Sequence, residues 1–140
     1  MNTHTKELEW IHNGIQCVIF AISFGHRCGY VKVPVGNKYH NKSYNEIEDI
    51  EIHGGLTYSE PYLVEEPVKE DDWWIGFDCA HLNDIKDPSI MSEEFVGIFI
   101  DILNLVDVMF SPEIKESKMW TLEMVKAETE RLADQIKEVK

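Results

Sequence analysis

Leu8-Glu-Trp-Ile-His-Asn-Gly-Ile-Gln-Cys-Val-Ile-Phe-Ala-Ile22 decides the fold class. Asn13 and Gly14 tolerate positive φ, and they separate two apolar arms, so 8–24 reads as a β-hairpin around a His12-Asn13-Gly14 turn. Its second arm, from Ile15 to Ile22, is apolar and β-branched enough to run through the centre of a sheet. Working outward, Gly25 punctuates the chain, and His26 to Val35 gives a third strand with Val31, Val33 and Val35 on one face. Pro34 marks an edge or a strand end, because it cannot donate to a ladder. Residues 36–44 read as a loop. Residues 49–58 and 72–81 read as the fourth and fifth strands, joined by an acidic, proline-containing loop long enough to act as a flap.

Beyond Asp84 the apolar period changes from two to that of a helix. Ser92-Glu-Glu-Phe95 opens a helix over 92–110, with Asp101, Asn104 and Asp107 as its polar stripe, and Pro112 closes the element. The stretch 117–138 reads as an amphipathic helix with Leu122, Val125, Leu132 and Ile136 on one face. The expected fold is α+β: a single domain over 1–140, with a mostly antiparallel sheet of about five strands over 8–81 followed by two C-terminal helices.

The chain has 140 residues, 44% of them hydrophobic, which suits one core. With 26 acidic against 13 basic side chains the formal charge is −13, a field that repels polyanions and excludes generic nucleic-acid binding. A solvated surface explains the acidity, and so does an acidic decoy for a basic protein. Cys17, Cys28 and Cys79 make an odd count and no secretory leader pattern opens the sequence, so a reduced cytoplasmic setting is expected. The apolar run from Phe95 to Phe110 is too short and too polar to span a bilayer. Its apolar circumference suits a core helix or a subunit contact, and a homo-oligomer built through the C-terminal helices is the expected assembly.

Two segments, Glu51-Ile-His-Gly-Gly-Leu-Thr-Tyr58 and Trp73-Trp-Ile-Gly-Phe-Asp-Cys-Ala-His81, set polar groups and glycines inside apolar, strand-like sequence. A polar group is costly there unless it has a partner or a ligand. On alternation, Trp73, Ile75, Phe77, Cys79 and His81 share one face, while Trp74, Gly76 and Asp78 share the other, where Gly76 leaves room for something flat. Gly54 and Gly55 admit close approach by a ligand or a tight bend.

Three chemistries fit these residues. His53, Asp78 and His81 are the candidate catalytic groups, with Asp78 orienting an imidazole that activates water or Thr57. The same three are candidate ligands for a divalent metal, and His26-x-Cys28 with Cys79-x-His81 would form a second set if their strands were adjacent. Binding without turnover would use His26, Arg27, Gly54, Gly55, Thr57, Tyr58 and Trp74 around a planar ligand. The competing explanation is structural: Asp78 and His81 capping a strand end, His53 bonding a carbonyl, the tryptophans filling core. Cys79 falls on the apolar face, where its thiolate is disfavoured, which argues against a nucleophile.

The segments Gly25-His-Arg-Cys-Gly-Tyr-Val-Lys-Val-Pro34, Ile52-His-Gly-Gly-Leu-Thr-Tyr58, Trp73-Trp-Ile-Gly-Phe-Asp-Cys-Ala-His81 and Leu122 to Ile136 resemble a family of small, uncharacterised proteins encoded by bacteriophages and prophages. The resemblance implies signature positions at His26, Cys28, His53, Gly54, Gly55, Thr57, Asp78, Cys79 and His81, and it implies no activity. Residues 85–118 depart from the family pattern in being longer and more apolar. A phage setting implies a bacterial host cytoplasm and, by analogy of context, an anti-defence role. The leading expectation is therefore an accessory protein that sequesters a small nucleotide-like ligand in a pocket lined by His53, Thr57, Trp74 and Asp78. The alternatives are a metal- or His/Asp-dependent hydrolase of a phosphoester or glycosidic bond, and an acidic protein inhibitor of a host factor.

Overall fold

The computed structural model describes residues 4–23, 25–63, 66, 68–79, 84–85, 90 and 118–138. β1 (His4–His12) and β2 (Ile15–Ile22) form the hairpin, and Asn13 and Gly14 turn it with φ of 51° and 81°. β3 (His26–Lys32), β4 (Tyr58–Glu60) and β5 (Trp74–Asp78) complete a five-stranded sheet of order β1-β2-β3-β5-β4, antiparallel at every pairing. A separate two-residue parallel pair joins β6 (Asp84–Ile85) to β7 (Lys118–Met119). One helix, α1 (Leu122–Lys137), follows. The architecture is α+β, with an antiparallel five-stranded sheet and one C-terminal helix among the described residues.

The helix expected over 117–138 is α1. It starts at Leu122 because Thr121 is its N-cap, extended in backbone and accepting the Met124 N–H through its hydroxyl at 3.3 Å. The helix expected over 92–110 lies outside the described residues. Glu123, Lys126, Arg131, Lys137 and Glu138 keep the outer side of α1 exposed and charged.

The central strands β2, β3 and β5 are buried on both faces. Cys17, Ile19, Val31, Ile75 and Phe77 pack on α1 through Val125, Leu132, Ala133 and Ile136, all four of which are 0% exposed. Each large side chain so buried contributes about 1.5–3 kcal/mol. On the far face Val18, Phe20, Ile22, Cys28, Tyr30 and Trp74 form a second cluster with Leu63. Two glycines permit the close packing on either side. A Cβ at Gly29 would collide with the Thr129 hydroxyl of α1 and come within 2.7 Å of the Phe77 ring, and a Cβ at Gly76 would collide with the ring of Tyr30. The flat group for which Gly76 leaves room is thus a tyrosine of the same chain.

Two strand expectations need correction. The third strand ends at Lys32, two residues before Pro34, although Val33 N–H still reaches the Trp73 carbonyl at 2.8 Å. The fourth strand was expected over 49–58, but only Tyr58–Glu60 pairs with β5. Residues 51–57 lie as a loop, with Ile52 and Leu56 packed against the helix-side core.

Candidate functional site at the Trp120 corner

β1 carries a bulge between Lys6 and Leu8, so one extra residue, Glu7, stands in the strand. The bulge turns Glu7 toward Arg27 of β3. Arg27 Nε donates to Glu7 Oε1 at 2.7 Å and Nη2 to Oε2 at 3.1 Å, a bidentate pair, while Nη1 donates to the carbonyl of Trp120 at 3.1 Å. The guanidinium is nearly sealed, its residue 4% exposed. A charge in that position is stable only with such partners. Arg27 therefore fixes the residue that precedes the cap of α1, and its own carbonyl accepts Cys79 N–H at 2.9 Å.

His53 reaches the same corner from the opposite edge of the sheet. Its ring lies over the Trp120 indole, centroids 4.1 Å apart and planes at 33°, and its backbone N–H donates to Glu128 Oε2 at 2.9 Å. Glu128 is held in turn by Arg131 Nη1 at 2.9 Å. Gln135 accepts Glu51 N–H at 2.8 Å and donates to the Glu51 carbonyl at 2.7 Å, as a neighbouring strand would. Gly55 N–H closes a turn on the Ile52 carbonyl at 2.9 Å, with Gly54 at φ 69° and Gly55 at φ 81°. A Cβ on Gly55 would meet nothing within 4 Å, so its backbone conformation, not close approach, calls for glycine.

Of the residues singled out in the sequence, His53 and Arg27 meet at Trp120, with Gly54, Gly55 and Thr57 on the loop beside them. Thr57 is exposed, and its N–H bonds the Gly76 carbonyl at 2.9 Å. Asp78, Trp74, Tyr58 and His26 belong to the other side of the sheet. Asp78 pairs in register with Cys28, a member of the far cluster, and so shares its face. His26 pairs with Ile22 of that same cluster. Trp74 is 4% exposed within it. Tyr58 sets its ring edge-on to Tyr30 at 4.9 Å and donates its hydroxyl to the Tyr62 carbonyl.

The single hollow expected for His53 and Asp78 is not formed, because the sheet itself stands between their faces. His81 lies outside the described residues. Arg27, expected as a ligand donor, is instead committed to Glu7 and Trp120, and Trp74 is a core side chain rather than a pocket wall.

The paired metal set fails on register. Cys28 stands opposite Asp78, so Cys28 and Cys79 point to opposite faces. No group of three His, Cys, Asp or Glu that could hold a metal occurs among the described residues. All three cysteines are free and buried. Burial pushes the Cys28 thiol up to about 12, and the nearby Asp78 charge adds to that; burial with the Glu130 charge does the same for Cys17. Neither is a thiolate at neutral pH.

Trp120, Glu128 and Glu7 were not singled out as site residues from the sequence. Trp120 had a signal: it stands at the position before an N-cap, where a hydrophobic side chain commonly folds back onto the first turn. The bulge that aims Glu7 had none. Comparison with protein-family models, curated proteins and solved structures returns no match for this chain.

Proposed function

We propose that this protein is a binder without catalytic activity that holds a planar, base-like small molecule at the Trp120 corner. One observation carries the reading: the half-buried His53 ring lies over the Trp120 indole on a loop that Glu128 and Gln135 pin to α1. A preorganised aromatic pair takes a third ring at little entropic cost. The exposed Thr57 and the Gly54-Gly55 backbone beside it supply polar contacts for the ring edge.

Electrostatics select the ligand. Arg27 is neutralised by Glu7, and Arg131 by Glu128, within a chain of net charge −13. No cation among the described side chains at the corner is left over for a phosphate, so a nucleobase or nucleoside fits better than a polyphosphate. In the phage setting that the family resemblance implies, the role is sequestration of a base-containing host molecule, an anti-defence function.

Adenosine, guanosine and their monophosphates are the probes. Their titration should quench tryptophan emission saturably, nucleosides more tightly than monophosphates, and Trp120→Phe or His53→Ala should abolish the quench. Ligand recovered after heat denaturation should be unchanged. Absence of any saturable quench would end this reading, and a cleaved product would replace it with the hydrolase.

A further inference from the structure

Among the large hydrophobic side chains that the described residues leave exposed, Ile11 at 72% and Val35 at 68% line one groove of about 380 Å³. It lies where β3 ends, beyond Lys32, while Arg27 and the Trp120 corner lie at the start of that strand, roughly 16 Å away at about 3.3 Å per residue. Pro34 extends the apolar wall, and Gln16 and Lys32 supply polar groups.

The charges in this groove do not cancel. Lys32 is paired with Asp72 at 3.0 Å. Asp71, on the same wall, has no ion pair among the described residues, so among the side chains that line the groove carboxylates outnumber cations by two to one, while the Lys137 ammonium beside Gly14 is held by the Asn13 carbonyl. Asp71 is held in a left-handed conformation, φ 64°, by a turn closed from Asp72 N–H to the Lys69 carbonyl at 3.2 Å, and its carbonyl lies 2.8 Å from His40 Nε2. Ile11 stands on β1, the terminal strand of the sheet, whose outer edge pairs with no described strand.

We infer that this groove is a docking site for an extended segment of a partner protein that presents an apolar side chain beside a lysine or arginine. A small molecule is the poorer occupant, since small-molecule sites enclose most of their ligand and these apolar side chains stand two-thirds or more in solvent. A second copy of this chain brings another −13 of like charge. A basic segment gains from the excess carboxylate and is steered by the whole field, while Ile11 and Val35 supply the apolar contact at the centre of the patch. The site does not depend on ligand binding at Trp120.

The test uses fluorescein-labelled peptides of alternating valine and lysine, with alternating valine and glutamate as control, read by anisotropy on the full chain. The valine–lysine peptide should bind saturably and the control should not. Ile11→Glu and Asp71→Lys should each weaken binding at least about tenfold, while Val68→Ser, an exposed apolar side chain off the groove, should leave it unchanged. Circular dichroism verifies folding, and Val35→Glu replaces Ile11→Glu if that variant does not fold. No saturable binding, or binding undiminished in either groove variant, overturns the proposal. Self-association in sedimentation that Ile11→Glu abolishes would overturn it too, by making a second copy the occupant.

Discussion

Gly29→Ala should lower stability by about 2–3 kcal/mol, although a β-propensity argument alone would make it favourable. Gly29 lies in the middle of β3, opposite Ile19 and Phe77. The added methyl would collide with the Thr129 hydroxyl and lie 2.7 and 2.9 Å from two carbons of the Phe77 ring. Thr129 is 0% exposed, and its hydroxyl donates to the Val125 carbonyl at 2.7 Å, so it cannot rotate away without leaving a buried polar group unsatisfied. Phe77 is 1% exposed within the helix-side core, where a shift of its ring must displace other packed side chains. The remaining response is for α1 to move off the sheet. Overpacking of this kind costs about 1–3 kcal/mol and a lost hydrogen bond about 1 more, against a gain of about 0.5–1 from removing a flexible glycine.

At roughly 3–4 °C per kcal/mol for a domain of this size, the midpoint should fall by about 6–12 °C. Urea unfolding of Gly29→Ala, Thr129→Ala and the double variant gives the decisive comparison. Removing the Thr129 hydroxyl opens space for the new methyl, so the two changes should couple by about 1 kcal/mol or more, with the Phe77 contact accounting for the residual loss. Additivity within about 0.5 kcal/mol would refute the collision, and so would a stabilised Gly29→Ala. A retreat of α1 would also part Trp120 from His53, so any nucleoside quench should weaken in the same variant.

Glu7→Ala, which strands the buried Arg27 guanidinium, should cost about 3–5 kcal/mol, whereas joint replacement of Glu7 and Arg27 by Leu and Met should cost much less; equal losses in chemical denaturation would count against a buried pair. Gly54→Ala, at φ 69°, should cost about 1–2 kcal/mol and weaken nucleoside binding through a displaced His53, whereas thermal melts and titrations indistinguishable from wild type would remove the need for a left-handed residue. Alkaline pH should destabilise the fold. With Cys28 held up at about 12 against an ordinary value of 9.0, the unfolded thiol ionises first and binds fewer protons, so stability falls as pH rises from 9 to 12. The slope owed to this thiol is at most about 1.4 kcal/mol per pH unit. Melting curves of Cys28→Ala should be flatter over that range, and an unchanged slope would place the effect elsewhere, for instance on Tyr30, whose hydroxyl burial also pushes up.

The hairpin was legible because its turn is decided locally: Asn13-Gly14 is one of few pairs that take two positive φ values cheaply. α1 was legible because a period of 3.6 with a threonine cap has few other readings. The alternation in β5 was also correct, since Ile75, Phe77 and Cys79 enter one core and Trp74 the other. What alternation does not reveal is what covers each face. Trp74, Gly76 and Asp78 suggested an open pocket, yet Tyr30 lies over Gly76 and Trp74 is buried. Side chains distant in sequence settle that, and a strand's own pattern does not contain them.

The misread fourth strand has a sharper cause. Ile50-Glu-Ile-His53 alternates as a strand should, and Ile50 and Ile52 do face the core. Its hydrogen bonds, however, go to side chains of α1: Gln135 serves both the N–H and the carbonyl of Glu51, and Glu128 takes the N–H of His53. The residues satisfy the same backbone groups a neighbouring strand would, so a two-residue periodicity arises with no sheet beneath it. That substitution carries His53 away from β5 and onto α1, where it meets Trp120 instead of Asp78. The loop's glycines then have a purpose independent of any ligand, which is to turn the chain back from the helix to β4 within the four residues between His53 and Tyr58. Ligand binding at this corner, as proposed, therefore depends on α1 as much as on the loop that carries His53.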